Sequence, residues 1–354
     1  MTTISEIKVT RTTASRLAEV DFDNIDFGKV FSDHMLVADF TNGAWQAPEI
    51  VPYDTLDLSP ATTALHYGQS IFEGMKAYRG AGGKPVLFRP HANFERMNRS
   101  AERMVMPAIP EAVFLDGLKE LVRTDSDWVP SGEDSSLYIR PLMFANDDFI
   151  GVNPSNDYKL VIFTCPVGKY YSKPVKLWVT PEYIRAAPGG TGEAKTAGNY
   201  AASYYAARQA QDKGYDNVLW LDGKSHEYVE ECGTMNIFFV IDGVAVTPEL
   251  SGTILRGVTR DSLITLLGDM GVEVQERRVS LGELREAYES SKLEEAFGAG
   301  TAATVSSVSE IAGADFSLRL RPDEERKVGP ELLTRLTNIR RGVVEDEHGW
   351  VVPV

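Results

Sequence analysis

One lysine lies in a setting that suits covalent chemistry. Lys195 belongs to the stretch APGGTGEAKTAGNY (187–200), which is rich in small residues. Such a loop lets the backbone approach a ligand closely. An amine that is desolvated there has a lowered pKa and can form a Schiff base. Because an arbitrary loop lysine is usually just solvated, Lys195 is a candidate that needs support from the rest of the chain.

Three other patterns place polar groups in defined directions. Glu230 and Glu231 are adjacent on a predicted strand, so they face opposite sides and only one can serve a given ligand. Tyr138 and Arg140 are two residues apart on another predicted strand and share a face. The tripeptide Gly257-Val258-Thr259 opens a predicted helix, where N–H groups can bind an anion.

Composition excludes several classes of function. The formal net charge is −15, which argues against binding to nucleic acid or to an anionic membrane surface. The N-terminus has no signal-peptide core, and no apolar run approaches the ~20 residues that span a bilayer. The two cysteines are too few for a disulfide framework, and the five histidines lack metal-ligand spacing. We therefore expect a cytoplasmic protein that acts on small molecules without a metal.

The order of elements predicts an α/β (α+β) chain of two domains, since 354 residues exceed one ordinary core. We expect a small N-terminal domain over 1–170, a linker over 171–186 that leads into a glycine-rich loop, and a larger, mostly β domain over 187–354. Residues 1 to about 30 are expected to form a loosely attached arm. Predicted strands include 34–40, 85–90, 135–144 and 159–167, and predicted helices include 91–105, 111–123, 199–213, 259–271 and 329–342.

Seven stretches occur in the order found in branched-chain amino-acid aminotransferases, which are fold-type IV pyridoxal-phosphate enzymes. They are ALHYGQSIFEGMKAY (64–78), FRPHANFERM (88–97), SLYIRP (136–141), GEAKTAGNY (192–200), EECGTMNIF (230–238), LRGVTRD (255–261) and GAGTAATVSSV (298–308). The chain resembles that family over most of its length. The resemblance implies a small α/β domain, a larger pseudo-barrel domain that binds the cofactor, and a homodimer with its active site at the subunit interface.

The resemblance also implies roles for single residues toward pyridoxal 5'-phosphate. Lys195 would carry the cofactor covalently and shuttle a proton in the reaction. Glu231 would hold the proton on the cofactor's ring nitrogen, with Glu230 as the fallback. Tyr200 would bond to the phenolic oxygen. The remaining cofactor-binding positions, most of them for the phosphate, would be Arg96, Val258, Thr259, Thr301 and Thr234.

Substrate recognition is likewise implied by the resemblance. A branched side chain needs an apolar, aromatic-walled pocket, and the matching positions are Phe27, Tyr67, Phe72, Tyr138 and Tyr170. The partner subunit would lend the Tyr67 equivalent. Backbone N–H groups of Ala302 and Ala303 would hold the substrate carboxylate, while Tyr138 and Arg140 would orient those groups or the second substrate. Without the resemblance, aromatic residues on strands would simply be assigned to the core.

The activity expected is a reversible, ping-pong transamination of L-leucine, L-isoleucine or L-valine with 2-oxoglutarate. D-amino-acid aminotransferases and aminodeoxychorismate lyases resemble the same fold type and form the first alternative, although LYIRP, EECGTMN and GTAAT fit them less well. A non-catalytic relative that binds a phosphorylated ligand or acts as an oligomeric scaffold is the second. It predicts a lost lysine or a lost acid, whereas Lys195 and Glu231 are both present.

Overall fold

The computed structural model describes residues 7–22, 24–168 and 173–354. It groups them into two compact units. Unit 1 comprises the described residues of Met1–Tyr170 together with Ala194–Gly198 and Asn338–Val354. Unit 2 comprises those of Tyr171–Glu193 and Asn199–Thr337. Each unit therefore combines separate segments of the chain. The domain boundaries expected from the sequence stay a prediction.

The helices and strands are numbered in chain order. Up to residue 168 they are β1 (Lys8–Val9), β2 (His34–Thr41), β3 (Ala44–Trp45), β4 (Glu49–Pro52), α1 (Thr63–Tyr67), β5 (Ser70–Phe72), β6 (Met75–Arg79), β7 (Pro85–Phe88), α2 (Pro90–Arg103), α3 (Gly117–Thr124), β8 (Ser136–Ala145) and β9 (Tyr158–Val167). Beyond residue 172 they are β10 (Val175–Val179), α4 (Ala197–Ala201), α5 (Tyr204–Asp212), β11 (Asn217–Leu221), β12 (Val229–Cys232), β13 (Asn236–Ile241), β14 (Val244–Thr247), α6 (Val258–Asp269), β15 (Val274–Glu276), α7 (Leu281–Glu289), β16 (Leu293–Gly300), β17 (Thr304–Ala312), β18 (Ser317–Arg319), α8 (Val328–Arg340) and β19 (Val351–Pro353).

Unit 1 is built on a sheet with the strand order β1-β4-β2-β9-β8-β6-β7-β19, to which β3 and β5 add at the sides. Strand β8 alternates between two faces, as its sequence predicts. Leu137, Ile139 and Met143 join the apolar core, to which α2 and α3 also contribute. Tyr138 and Arg140 project from the other face, which keeps them out of that core.

The described part of the N-terminal arm is held against unit 1, so the expectation of a loose arm is wrong for these residues. Strand β1 pairs in parallel with β4. The Asp33 carboxylate accepts hydrogen bonds from the Ser15 hydroxyl, the Arg16 N–H and the Trp128 indole. The physical reason is that the buried Asp33 needs donors, and the arm supplies two of them.

Unit 2 contains a second sheet, with the strand order β12-β11-β10-β17-β16-β13-β14-β15 and β18 beside β17. Strands β13 and β14 form an antiparallel hairpin around Asp242 and Gly243, both of which have positive φ. The predicted helix over 199–213 is broken into α4 and α5, because Ser203 donates both its N–H and its hydroxyl to the carbonyl of Tyr200.

No helix among the described residues is long and apolar enough to cross a membrane.

Two glycines at the end of α6 test the backbone conformation. Gly268 is exposed, and an added Cβ would meet no atom within 4 Å. We expect Gly268→Ala to raise the free energy of unfolding by about 0.5–1 kcal/mol, since alanine loses less backbone entropy in a helix. Gly271 also has open space but a φ of 70°. Gly271→Ala should therefore lower stability by about 1–2 kcal/mol. Denaturant unfolding measures both, and equal effects of the two variants would contradict these conformations.

Candidate active site

The segment Ala194–Gly198, which carries Lys195, is fixed to unit 1 by backbone hydrogen bonds. The Lys195 N–H donates to the Ser100 hydroxyl at 2.9 Å, and the Lys195 carbonyl accepts the Phe72 N–H at 3.0 Å. The Thr196 hydroxyl donates to the Ser70 carbonyl at 2.8 Å. The Lys195 Nζ then lies 4.8 Å from the centroid of the Phe72 ring. The loop lysine is thus not a freely solvated one, because the residue is half-buried and its backbone is held between β5 and α2.

A buried ion pair lies in the same unit. Arg96 Nε is 2.7 Å from Glu73 Oε1, and Arg96 Nη2 is 2.8 Å from Glu73 Oε2. The Asn93 amide and the Gly74 N–H add donors to Oε2. Burial alone would raise the pKa of Glu73, but the Arg96 charge and these hydrogen bonds outweigh it, so its pKa is lowered. Arg96, the expected phosphate ligand, therefore has its guanidinium oriented by a carboxylate.

Several of the expected substrate positions form one chain of contacts. The Arg140 guanidinium carbon lies 4.7 Å from the centroid of the Phe72 ring, and Arg140 Nη2 donates to the Tyr138 hydroxyl at 3.1 Å. The Tyr138 and Phe27 rings are 5.1 Å apart. Together with Lys195 over Phe72, these groups place an amine, a guanidinium and three aromatic rings in one region of unit 1.

The other substrate positions are not part of that cluster. Tyr67 lies at the end of α1 with 43% of its surface exposed. Tyr170 lies outside the described residues. Ala302 and Ala303 belong to unit 2, in the turn that joins β16 to β17. Thr301, an expected cofactor-binding position, lies in the same turn.

In unit 2, Glu231 is held by two donors. Its Oε2 is 3.0 Å from the Arg185 Nε, and its Oε1 accepts the Leu255 N–H at 2.6 Å. Both side chains of the ion pair are almost fully buried. Arg185 also donates to the carbonyls of Thr253 and Gly192. Because Arg185 keeps a cation beside it, Glu231 has the environment of an ionised carboxylate, which is what an acceptor of a ring N–H requires.

Glu230 occupies the opposite face of β12, as the alternation of a strand predicts. Its Oε1 accepts a hydrogen bond from the Thr253 hydroxyl. Burial is the main cause that raises the pKa of Glu230 to about 7, with smaller contributions from the charges of Glu231 and Asp222. The two neighbouring glutamates therefore have different environments, and Glu231 is the one paired with a cation.

The start of α6 has the geometry of an anion site. Val258 and Thr259 form its first turn after Gly257, and N–H groups at that position point along the helix axis. A Cβ on Gly257 would lie 2.0 Å from the Asn236 Oδ1, so only glycine fits there. Asn236 in turn donates to the Leu255 carbonyl at 2.9 Å. Local packing thus requires a residue without a side chain at the start of this helix.

Two further expected cofactor positions lie elsewhere in unit 2. Tyr200 is half-buried in α4, and Thr234 is exposed in the turn between β12 and β13. Glu73, Ser100 and Arg185 were not identified from the sequence. Glu73 lies inside the quoted stretch IFEGMK, so a search for the partner of a buried arginine could have found it. Nothing in the sequence near Arg185 indicates its pairing with Glu231.

The family model for amino-transferase class IV matches residues 70–311. The branched-chain-amino-acid aminotransferase 2 of Bacillus subtilis (strain 168) is 46% identical over 346 residues, which covers 97% of this chain and 95% of that protein.

Two solved structures are similar as well. The branched-chain aminotransferase of the archaeon Thermoproteus uzoniensis, solved with norvaline, has a TM-score of 0.76 at 27% identity, over 90% of this chain and 99% of that one. The branched-chain amino acid aminotransferase of Escherichia coli has a TM-score of 0.71 at 29% identity, over 89% and 98% of the two chains.

The fold is that of a fold-type IV aminotransferase, so the fold class expected from the sequence is confirmed. The chain belongs to the branched-chain-amino-acid aminotransferase family. The resemblance seen in the ordered motifs, and the class of enzyme that it implied, are therefore confirmed.

The Glu73–Arg96 pair predicts a large effect on stability. Glu73→Ala leaves a buried guanidinium without its carboxylate and should lower the free energy of unfolding by about 3–5 kcal/mol at pH 7. Because the folded-state pKa of Glu73 is lowered, its contribution is present above the unfolded-state pKa and is lost as the pH falls below it. The difference between wild type and variant should therefore shrink below about pH 4.5.

Glu95→Gln is the control for this experiment. Glu95 lies on α2, as Arg96 does, but in an exposed pair with Arg99. It should change stability by less than about 1 kcal/mol. Denaturant unfolding at pH 7 and at acidic pH measures all three proteins. A Glu73 variant as stable as the control would refute the buried pair.

Proposed function

We propose that this protein transfers the amino group of L-leucine, L-isoleucine or L-valine reversibly to 2-oxoglutarate, with pyridoxal 5'-phosphate as cofactor. Membership of the family supports this reaction. One observation supports roles for individual residues: the Lys195 amine lies over the Phe72 ring, which also contacts Arg140, and Arg140 is bonded to Tyr138. A covalent amine, an apolar wall and a carboxylate-binding guanidinium are the three groups that this chemistry needs.

The residues present fit a phosphorylated pyridine cofactor. Glycine is required at residue 257, where the start of α6 suits a phosphate, and Glu231 is a buried carboxylate beside Arg185. When bound, pyridoxal phosphate supplies an electron sink for negative charge at the substrate Cα. Further positions proposed to bind it are Arg96, Tyr200, Thr234, Val258, Thr259 and Thr301.

The proposed roles divide the work among side chains of this chain. Lys195 would hold the cofactor through its Nζ and would move the proton at the substrate Cα. Glu231 would accept a hydrogen bond from the protonated ring nitrogen of the cofactor. Glu73 orients the Arg96 guanidinium through their two hydrogen bonds.

Two substrates of different polarity must use one pocket in a ping-pong reaction. The rings of Phe27, Phe72 and Tyr138 supply the apolar surface for a branched side chain, and Tyr67 and Tyr170 are proposed to complete it. The Arg140 Nε is buried and, among the described residues, finds no hydrogen-bond acceptor. A buried guanidinium N–H with that geometry favours a ligand carboxylate, such as the γ-carboxylate of glutamate. The N–H groups of Ala302 and Ala303 are proposed to bind the α-carboxylate.

We also propose a cytoplasmic homodimer. Exposed apolar side chains cluster on unit 1 at α1 and at the loop after β8, namely Leu65, Tyr67, Phe149, Ile150 and Val152. A β-bridge between Thr62 and Asp148 holds these two segments together. Because such a patch is costly in water, a second copy is its expected cover, which would bring Tyr67 to the partner's site. The acidic composition and the two free cysteines agree with a cytoplasmic enzyme.

Lys195 is the residue on which the reaction depends. The protein purified with pyridoxal phosphate should show a visible absorption band that L-leucine bleaches and 2-oxoglutarate restores. Lys195→Ala should lose the band of the lysine-bound cofactor and reduce turnover by about 10³-fold or more, since the covalent link and the proton shuttle are both removed. Lys213→Ala, which removes an exposed lysine, should behave like wild type.

Other outcomes of that titration discriminate the alternatives. A band indifferent to L-leucine but bleached by D-alanine would assign the protein to the D-amino-acid enzymes. Bleaching without transfer of the amino group would favour a lyase. If wild-type protein forms no band at all, the chain is a non-catalytic relative and the role of Lys195 is refuted.

The apolar patch makes a prediction about assembly. The double variant Ile150→Asp/Val152→Asp places two charges in the proposed interface and should convert the dimer to a monomer with little activity, because each site then lacks its partner's Tyr67. Val343→Asp is the control, since Val343 is 65% exposed in a separate segment after α8. Light scattering after gel filtration measures the mass. A wild-type monomer with full activity would contradict the proposal.

A further inference from the structure

Two adjacent carboxylates point to opposite faces of β12, at the edge of the unit 2 sheet. Glu231 is 2% exposed and contacts Arg185 and the Leu255 N–H. Glu230 is 5% exposed and faces the other way. The reaction proposed above uses only Glu231. The buried Glu230 is therefore an ionisable group without an assigned role.

One short segment connects the two carboxylates. The Thr253 hydroxyl donates to Glu230 Oε1, while the Thr253 carbonyl accepts Arg185 Nη1 at 2.5 Å. Two residues later the Leu255 N–H donates to Glu231 Oε1 at 2.6 Å. Arg185 closes the connection through its ion pair with Glu231. A displacement of Thr253 would therefore shift both groups that hold Glu231.

We propose that Glu230 is a positioning residue for the transamination, which holds Arg185 and Glu231 in place through Thr253. The inference rests on the role proposed for Glu231. It assigns to Glu230 no contact with substrate or cofactor. The Glu230 carboxyl group is charged when ionised and neutral when protonated. Its influence on Arg185 and Glu231 therefore differs between the two protonation states.

The surroundings of Glu230 allow it to change charge near neutral pH. Its pKa is raised to about 7, chiefly by burial, and its Oε2 has no hydrogen-bond partner among the described residues. Glu230 also lines a cavity of about 260 Å³, through which solvent can exchange a proton with it. The titratable and charged groups that face this cavity or the carboxylate are Asp222, Lys224, Tyr228, Glu231, Glu249, Arg278 and Arg185.

The neighbouring acid Asp222 does not titrate in the same range. Burial would raise its pKa, but backbone N–H groups of Tyr228, Ser225 and Glu227 outweigh burial and hold the pKa well below its usual value. Asp222 is therefore an anion throughout the neutral range. Of the two acids, Glu230 is the one whose charge changes near pH 7.

The direction of the effect follows from the charges. Below about pH 7 Glu230 is neutral and acts only as the acceptor for Thr253. Above that pH, the negative charge of Glu230 attracts Arg185. It also partly offsets the positive charge that Arg185 presents to Glu231. Glu231 then attracts a ring N–H more strongly, at the pH where that proton would otherwise be lost. Ionised Glu230 should therefore extend cofactor binding and activity to higher pH.

Glu230→Gln tests this without removing the acceptor, because the glutamine amide oxygen can still bind the Thr253 hydroxyl. The first readout is the Kd of the apoprotein for pyridoxal phosphate, from quenching of tryptophan fluorescence at pH 6 and pH 8.5. We expect wild type and Glu230→Gln to agree at pH 6, and the variant to bind about threefold to tenfold more weakly at pH 8.5. The alkaline limb of kcat/KM for L-leucine should move to lower pH by up to about one unit.

Two further variants make the result specific. Thr253→Val removes the connecting hydroxyl and should weaken binding of pyridoxal phosphate at both pH values. Glu249→Gln removes an exposed acid that lines the same cavity and should match wild type at both. A Glu230→Gln protein that equals wild type at both pH values, or that is weakened equally at both, would overturn the proposal.

The experiment separates this inference from the proposed function. If wild type binds pyridoxal phosphate and shows the pH-dependent gap to Glu230→Gln but does not turn over L-leucine, the proposed substrates are wrong and the positioning role stands. If wild type turns over L-leucine and the gap is absent, the positioning role fails and the proposed function stands.

Discussion

The backbone hydrogen bonds of Lys195 are the interaction on which the arrangement of unit 1 depends. The Lys195 N–H and carbonyl are bonded to Ser100 on α2 and to Phe72 on β5. Ser100 in turn donates its hydroxyl to the carbonyl of Arg96, one helical turn earlier. The positions of the Lys195 amine, the Phe72 ring and the helix that carries Arg96 are thus set by one connected group of hydrogen bonds. Such a rigid backbone suits the nucleophilic role proposed for Lys195, because it limits the positions that a flexible side chain can take.

Three buried glutamates are the second organising feature, and each has a different set of partners. Glu73 is matched with a bidentate arginine, and Glu231 with an arginine and a backbone N–H. Glu230 accepts a hydrogen bond from the Thr253 hydroxyl and from no other group among the described residues, and burial raises its pKa to about 7. The charge of Arg96 and its hydrogen bonds outweigh desolvation at Glu73, whereas desolvation prevails at Glu230. The same strand thereby presents an anion on one face and a titrating acid on the other.

The proposed substrates place opposite demands on one pocket, and Arg140 is the side chain proposed to meet both. Its guanidinium lies against the faces of Phe72 and Tyr138, at 4.7 Å and 5.4 Å from the ring centroids. Planar stacking covers the cation with apolar surface, so an aliphatic side chain can pack nearby. The N–H groups at the edge of the guanidinium remain suited to a carboxylate. An aromatic wall that contains an arginine therefore suits the proposed alternation of leucine and glutamate.

The sequence by itself determined the class of fold and the order of the motifs, and it singled out Lys195 as the candidate for covalent chemistry. It also predicted the strands around Tyr138 and Arg140, their shared face, and the opposite faces of Glu230 and Glu231. These features depend on local periodicity or on short motifs, which are readable along the chain. Only the tertiary structure decided that Ala194–Gly198 and Asn338–Val354 belong to unit 1, through the pairing of Ile71 with Thr196 and of β19 with β7. It alone identified Arg185 as the partner of Glu231 and Glu73 as the partner of Arg96. Those contacts join residues far apart in the chain, and the burial that makes them strong exists only once the chain is folded.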